Sequence, residues 1–563
     1  MEKGTETFAV FRIGEAKLAK LLSALIVLKI ATIFIFAWHS RFVMDEFVQL
    51  GWAKYLGNGL FENVWPAKAV GYAIFYKLAH VIGWDAQSIL LIGRMQTALL
   101  GCATLALVYS CARALGEKRV RALFIVLILL CFSNFMERIF RTIAEPLALF
   151  LALAALLVIL RGEALGARRV VMAGVLCGLS FLATQKAVYF NVALGLGLLT
   201  DALVSQRYLV GIQRGIWLVL GWVIPIAAYC LVFGGLDPLP IARNIVFGPL
   251  EVATSGGDVY DGLRSFVLQT LQRNAVFYAF CLAGMAMALR HFARLGERRR
   301  IALVFSVVIT AFVFAHNQPW PYVFIMALPF MVLWVLVPLD RLAADALHLR
   351  LAGILLMSAV ALSFISNLIY LRIDNAAQLK LVARAEAMLG PSDQYFDGVA
   401  MLPNRREPSA LWLDARAVLN TLQGGQKSEA YRIFTQFQPK LILWSYRMDG
   451  IAPVVARVIE LSYVGVAPNI RMAGRRLVQG QPARFTIPLS GSYGLYSEAG
   501  EPVHGLVEIG GALLKPPFQL AHGKTVVTLR DGLSGALLLP EGSYRGLFEP
   551  GRDNDRLFDN VYK

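Results

Sequence analysis

Apolar residues run in blocks along the first two thirds of the chain, separated by short polar gaps. Most blocks hold about 17–22 residues, the length that crosses a bilayer core of about 30 Å as a helix. They fall near 20–38, 88–114, 119–134, 145–160, 169–184, 187–204, 215–233, 273–290, 300–315, 322–338 and 350–370. The pattern predicts a polytopic α-helical membrane protein with about eleven transmembrane helices. Between the first two blocks, "DEFVQLGWAKYLGNGLFENVWP" and "AVGYAIFYKLAHVIGW" place apolar residues at helical spacing, interleaved with Trp, Tyr and Lys. That is the pattern of helices lying in the membrane interface. Segment 234–272 is rich in Gly, Pro and Asp and reads as a loop.

Beyond about residue 371 the long apolar blocks stop. "EAYRIFTQFQPKLILWSYR" and "PVVARVIELSYVGVAP" each give a helix followed by a strand, so 371–475 reads as a small α/β unit. Short strand runs punctuated by Gly, Pro and Asp follow, as in "QPARFTIPLSGSYGLYSEAG" and "KTVVTLRDGLSGALLLPEGSYRG". They make 476–563 a β-rich module of sandwich type. The domain plan is thus a transmembrane domain over 1–370, an α/β domain over 371–475 and a β module over 476–563.

Composition agrees: 57% of the residues are hydrophobic and only 16% charged, against about 25% charged in soluble domains. The first block follows a basic segment containing Arg12, Lys17 and Lys20 and ends in Phe34, Phe36 and Trp38. Bulky residues there do not suit a signal-peptide cleavage site, so the block reads as a retained first helix. The net charge of +17 would suit a nucleic-acid partner, but its placement argues against one. Basic clusters at 116–121, 161–169, 205–214, 290–300 and 339–350 occupy alternate gaps. Short cytoplasmic loops accumulate Lys and Arg, so the N-terminus is expected inside and the C-terminal modules outside. All six cysteines lie in or beside apolar blocks, none beyond Cys281, which leaves the C-terminal modules without a disulfide framework.

Sidedness selects the candidate chemistry, because charges at the membrane boundary are costly. The outer gaps hold Asp45 and Glu46, then Glu137, Arg138, Arg141 and Glu145 in "ERIFRTIAEP". Lys186 follows in "ATQKAVYF", and His316, Gln318, Trp320 and Tyr322 in "HNQPWPY". Each has a plain structural reading. Asp45 and Glu46 suit the first turn of a helix, and Glu145 precedes Pro146 at a helix start. Arg138 and Arg141 lie three apart on one helical face, within reach of Glu137 and Glu145. Lys186 can snorkel, His316 suits a turn and Tyr322 an interface anchor. Taken together they suit glycosyl transfer from a lipid-phosphate sugar. Cations neutralise the leaving phosphate, and a carboxylate takes the proton of the acceptor hydroxyl.

In these stretches the sequence resembles the multi-pass glycosyltransferases that use polyprenyl-phosphate sugars, the group that includes protein O-mannosyltransferases and lipid A aminoarabinose transferases. "MDEFVQLGWAKYLGNG" is similar to that family's first outer loop, with Asp45 in the place of its first acid. "RTIAEPLALFLALAA" resembles the second, with Glu145 opening a helix, and "ATQKAVYF" resembles a turn that puts Lys186 on the donor phosphate. "HNQPWPYVFIMALPF" resembles a late turn of His, Pro and Tyr. The resemblance implies the C-type glycosyltransferase fold and a site at the outer face of a bacterial inner membrane. It also implies a catalytic set of Asp45, Glu46 and Glu145, with Asp45 as general base in an inverting displacement and Glu46 holding it. Arg138, Arg141 and Lys186 would bind the donor phosphate, and His316, Gln318, Trp320 and Tyr322 the substrates. The implied partners are a polyprenyl-phosphate sugar, membrane lipids and a glycan, glycolipid or protein acceptor. No cofactor is required; a divalent cation on two carboxylates and His316 is compatible, although no ligand spacing demands it. Gln185 before Lys186 and Trp320 between two prolines depart from the family pattern, and the module at 476–563 stands outside its common core. Rival readings are a transporter or flippase of lipid-linked sugars, a glycan ligase using a diphosphate-linked donor, and an assembly factor binding envelope polymers.

Overall fold

The structure is a computed structural model that describes residues 14–61, 65–66, 68–162, 165–254, 263–405, 407, 421–448, 450–531 and 533–558. Arg12, part of the 234–272 segment and the end of the β module lie outside the described residues. Two compact units emerge. One is Met1–Ser40, Gly59–Leu78 and Leu91–Asp374; the other is Arg41–Asn58, Ala79–Leu90 and Asn375–Lys563.

The N-terminal half is helical throughout. In chain order it runs α1 (Glu15–His39), α2 (Met44–Tyr55), α3 (Gly71–Ile82), α4 (Ala86–Ala114), α5 (Arg119–Cys131) and α6 (Ser133–Arg138). Next come α7 (Ala144–Leu160), α8 (Ala167–Ala183), α9 (Val188–Val204), α10 (Tyr208–Gly234), α11 (Leu239–Thr254) and α12 (Arg264–Arg273). The run closes with α13 (Ala275–Arg290), α14 (Glu297–Phe314), α15 (Leu328–Met331), α16 (Val337–Leu342) and α17 (Ala346–Tyr370). Helical structure occupies all eleven predicted blocks. Among the described residues, six helical stretches are long and apolar enough to cross a membrane: Glu15–His39, Ala86–Ala114, Gln185–Val204, Tyr208–Gly234, Phe324–Leu342 and Ala346–Tyr370. The others are short, as in the 13-residue α5, or carry charge, as α14 does in Glu297–Arg300. The chain is therefore a multi-pass helical membrane protein.

Two expectations change here. Segment 234–272 is not simply a loop, because α11 and α12 occupy most of its described part. Pro238 and Pro240 sit at the start of α11, where a missing N–H costs nothing, and Ile241 and Ile245 give it a buried stripe. The block at 322–338 is not one continuous helix either. Short 3₁₀ turns at Phe324–Met326 and Val332–Trp334 alternate with α15 and α16, since Pro329 and Pro338 withhold the N–H an unbroken helix needs. Helix packing relies on small residues. A Cβ added to Gly174 of α8 would lie 2.2 Å from the Leu218 carbonyl oxygen of α10, and one on Gly221 2.1 Å from that of Val171. The two backbones therefore touch, the small-residue contact typical of membrane helices.

In the second unit, α18 (Ala376–Ala387) precedes β1 (Tyr395–Phe396), β2 (Leu441–Leu443), β3 (Tyr463–Ala467) and β4 (Ile470–Ala473). These strands form one mixed sheet in the order β1-β2-β4-β3, parallel only between β1 and β2. The chain then continues through β5 (Arg475–Val478), β6 (Pro482–Ile487), β7 (Gly491–Tyr496) and β8 (Leu506–Ile509). It ends with β9 (Ala512–Leu514), β10 (Phe518–Leu520), β11 (Gly523–Asp531) and β12 (Gly535–Pro540). They make two four-stranded sheets, β10-β7-β12-β5 and β6-β11-β8-β9, around a core that includes Leu477, Phe485, Tyr493, Val507, Val527 and Leu538. The segment bearing α2 packs within this unit. The Phe42 N–H donates to Gln378 Oε1 (2.7 Å) in α18, and Gln378 Nε2 donates back to the Phe42 carbonyl (3.2 Å).

Candidate active site

Three segments of the helical unit meet at Lys186. Glu145 stands in the first turn of α7, directly before Pro146, and its side chain is only 6% exposed. Lys186 lies in the 3₁₀ turn Gln185–Ala187 between α8 and α9, so its backbone is fixed by helices on both sides. Its Nζ donates to Glu145 Oε1 at 2.9 Å and sits 4.4 Å from the ring centroid of Tyr322. The carboxylate and the aromatic face both attract a positive charge. Beside them, His316 Nδ1 lies 2.9 Å from the hydroxyl of Tyr189 in α9. Burial, and then the positive charge of Lys186, push His316 down to about 4, against a smaller opposing effect of Glu145. His316 is therefore neutral at physiological pH, and Lys186 is the cation of the group.

A second cluster forms around α6. The Glu137 carboxylate is buried and held by both Nη1 (3.3 Å) and Nη2 of Arg273, at the end of α12. Arg141 Nε donates to the Glu137 carbonyl (2.9 Å), and its Nη2 donates to the Tyr370 hydroxyl (2.6 Å). A polar network fastens the chain here. The Ser133 N–H donates to Asn274 Oδ1 (2.9 Å), and Asn134 Nδ2 donates to Thr270 Oγ1 (2.7 Å). Arg138 and Arg141 do not share a helical face, because α6 ends at Arg138 and the chain turns tightly, the Arg141 N–H donating to the Arg138 carbonyl (3.1 Å). The expected partners also differ: Glu137 takes Arg273 and Glu145 takes Lys186. Arg273 escaped sequence reading because it stood at the first position of the apolar block 273–290, beside a segment read as a loop, whereas in the structure it ends α12. The amphipathic run "RSFVLQTLQR" was the signal that could have found it.

In the second unit, Asp45 is half-buried in the first turn of α2 and Glu46 is fully buried. Glu46 Oε1 accepts the Val43 N–H at 3.0 Å, a helix-capping contact that fixes the start of α2 and with it the placing of Asp45. Elsewhere in the helical unit Gln318 is exposed, and Trp320 is half-buried with its ring 6.0 Å from Phe266. Among the described residues no three of His, Cys, Asp and Glu converge as a metal cluster would.

The basic gaps read as cytoplasmic also meet one another. Arg121 donates to both oxygens of Asp340 at 2.7 Å, Arg299 binds the Leu115 carbonyl (3.0 Å), Arg300 pairs with Asp201 (2.6 Å) and Arg214 with Glu297 (2.8 Å). Helices α9 and α14 therefore have one end among arginine forks and the other near Lys186 or His316.

Residues 475–540 match a family described as a domain of unknown function (DUF7055), and residues 419–472 match another described in the same way (DUF7056). No curated protein matches the chain by sequence. Among solved structures, the chain is similar to ArnT from Cupriavidus metallidurans in the apo state. The identity is 13%, over 81% of this chain and 98% of that one, with a TM-score of 0.54. It is equally similar to the same protein bound to undecaprenyl phosphate, at 13% identity over 80% and 97% of the two chains and a TM-score of 0.54. The overall fold is therefore that of ArnT, the C-type glycosyltransferase fold implied by the resemblance of the outer-loop motifs to polyprenyl-phosphate-dependent enzymes.

Proposed function

We propose that this protein is an integral-membrane glycosyltransferase that moves a single sugar from a polyprenyl-phosphate donor to an acceptor hydroxyl at the outer face of the cytoplasmic membrane. In this reading about eleven helices span the bilayer, the N-terminus is cytoplasmic and the 371–475 and 476–563 domains are extracytoplasmic. The observation that carries the reading is the Lys186–Glu145 pair. A cation held at one end of the helical unit by a single buried carboxylate and an aromatic face suits a lipid phosphate, which can take that carboxylate's place. ArnT, whose fold the chain shares, has been seen bound to undecaprenyl phosphate.

Lys186, assisted by Arg138 and Arg141, would stabilise the phosphate as it leaves. Asp45 would remove the proton of the attacking hydroxyl, and direct attack on the anomeric carbon would invert its configuration. Glu46 keeps α2 capped, so its part is to hold Asp45. Neutral His316, with Gln318, Trp320 and Tyr322, would line the sugar and lipid side without adding charge. The test is sugar transfer by purified protein in lipid nanodiscs from a radiolabelled polyprenyl-phosphate donor. Wild type transfers, whereas Asp45→Asn and Lys186→Ala, folded by thermal melting, lose turnover. Near-normal transfer by both variants would contradict the reading.

A further inference from the structure

The outer face of the sheet β6-β11-β8-β9 is hollowed into an open cleft of about 640 Å³, in the size range of pockets that hold small organic ligands. Its chemistry is uneven. Lys524 stands opposite Thr486 and Val526 opposite Arg484 on adjacent strands, which makes Lys524 and Arg484 diagonal neighbours about 7–8 Å apart at the backbone. Both are exposed and line the cleft, and neither has a carboxylate partner among the described residues. The acidic residue of the lining, Glu508, is taken up by Arg530, whose Nε (2.6 Å) and Nη2 both donate to it. The cleft is therefore net positive.

Threonine hydroxyls lie between the charges, with Thr528 directly opposite Glu508. The turn Gly510–Gly511 at the rim has positive φ at both residues and no side chain to cover its backbone. Cations that read charge, hydroxyls that read hydroxyls and an open polar rim fit an anionic saccharide better than an apolar peptide or a lipid tail. We infer that this cleft binds a glycan bearing carboxylate or phosphate groups, with Arg484 and Lys524 on the anions. Such a site would hold a polymeric acceptor during transfer, a use that rests on the glycosyltransferase reading. The binding itself does not.

The test uses the full chain in nanodiscs of neutral lipid, with oligogalacturonate as probe and a neutral galactan oligomer of equal length beside it, followed by calorimetry. The expected result is binding of the uronate that weakens with salt and falls about tenfold or more in Arg484→Ala/Lys524→Ala, the loss of hydrogen bonds to charged groups. Arg484→Lys should retain most of the binding, and Arg457→Ala should change nothing. No binding, equal binding of the neutral oligomer, equal binding of polyphosphate, or an unchanged double variant would each overturn the inference. Because turnover is not read, uronate binding by a protein that transfers no sugar would support the cleft and count only against the proposed function.

Discussion

The helical unit treats charge in two ways. Around the short basic loops, arginines share carboxylates: Asp201 lies 2.6 Å from Arg300 and 3.5 Å from Arg214, and Arg121 takes both Asp340 and Glu117. Each charge there has several partners, and planar guanidinium forks suit such fixed pairing. Near α7 and α9 the arrangement is sparse. One lysine meets one buried glutamate beneath one aromatic ring, next to a histidine that burial keeps neutral. A shared network resists exchange, whereas a single pair leaves a cation that an incoming phosphate can claim. Under the proposed function the first arrangement is structural and the second would be the phosphate site.

Variants can break that contrast. The largest effect on turnover is expected from Asp45→Asn, a loss of about 10²–10⁴ in initial rate of sugar transfer per folded molecule if it is the base, with the Glu46 cap of α2 left in place. Lys186→Ala should follow with a loss of about 10²–10³, and Lys186→Arg should restore only part of it. At the other end, Asp201→Ala takes away the carboxylate partner of the part-buried Arg300 and leaves Arg214 with Glu297 alone. It should lower stability by about 3–5 kcal/mol, read by thermal unfolding, while turnover per folded molecule stays unchanged. Reversal of these last two phenotypes would mean that the two ends had been assigned the wrong way round.

The smallest effect concerns pH. Burial and then the charge of Lys186 push His316 down to about 4 in the folded protein against 6.5 ordinarily, so the unfolded chain takes up its proton first as pH falls. Its contribution to stability is full above about pH 6.5 and is lost progressively towards pH 4. His316→Gln should flatten the wild-type melting profile across that window and leave it unaltered above it. A variant with the wild-type slope would show that other groups set the acid response.

Much of this was legible in the sequence, for physical reasons. Apolar blocks and alternate basic gaps disclosed a multi-pass helical protein because lipid permits few other patterns. The same gaps brought Arg121, Arg214 and Arg300 into view as one class. The sequence marks Lys186 and Glu145 in separate outer gaps, and the structure joins them. Pairing could not be read where partners are far apart in sequence: Arg273 with Glu137, Arg141 with Tyr370 and His316 with Tyr189 depend on packing alone. The proline-broken segment 324–342 and α11 show the other limit, since proline and glycine mark helix starts and interruptions as readily as loops.

The most direct test of the central claim is a donor comparison with the purified wild-type protein. The same radiolabelled sugar is offered on a polyprenyl monophosphate and on a polyprenyl diphosphate, and both transfer to acceptor and movement of intact lipid across a vesicle are measured. The account predicts transfer from the monophosphate alone, with the lipid phosphate released and no movement of intact donor. Transfer only from the diphosphate, or lipid movement without transfer, would contradict it.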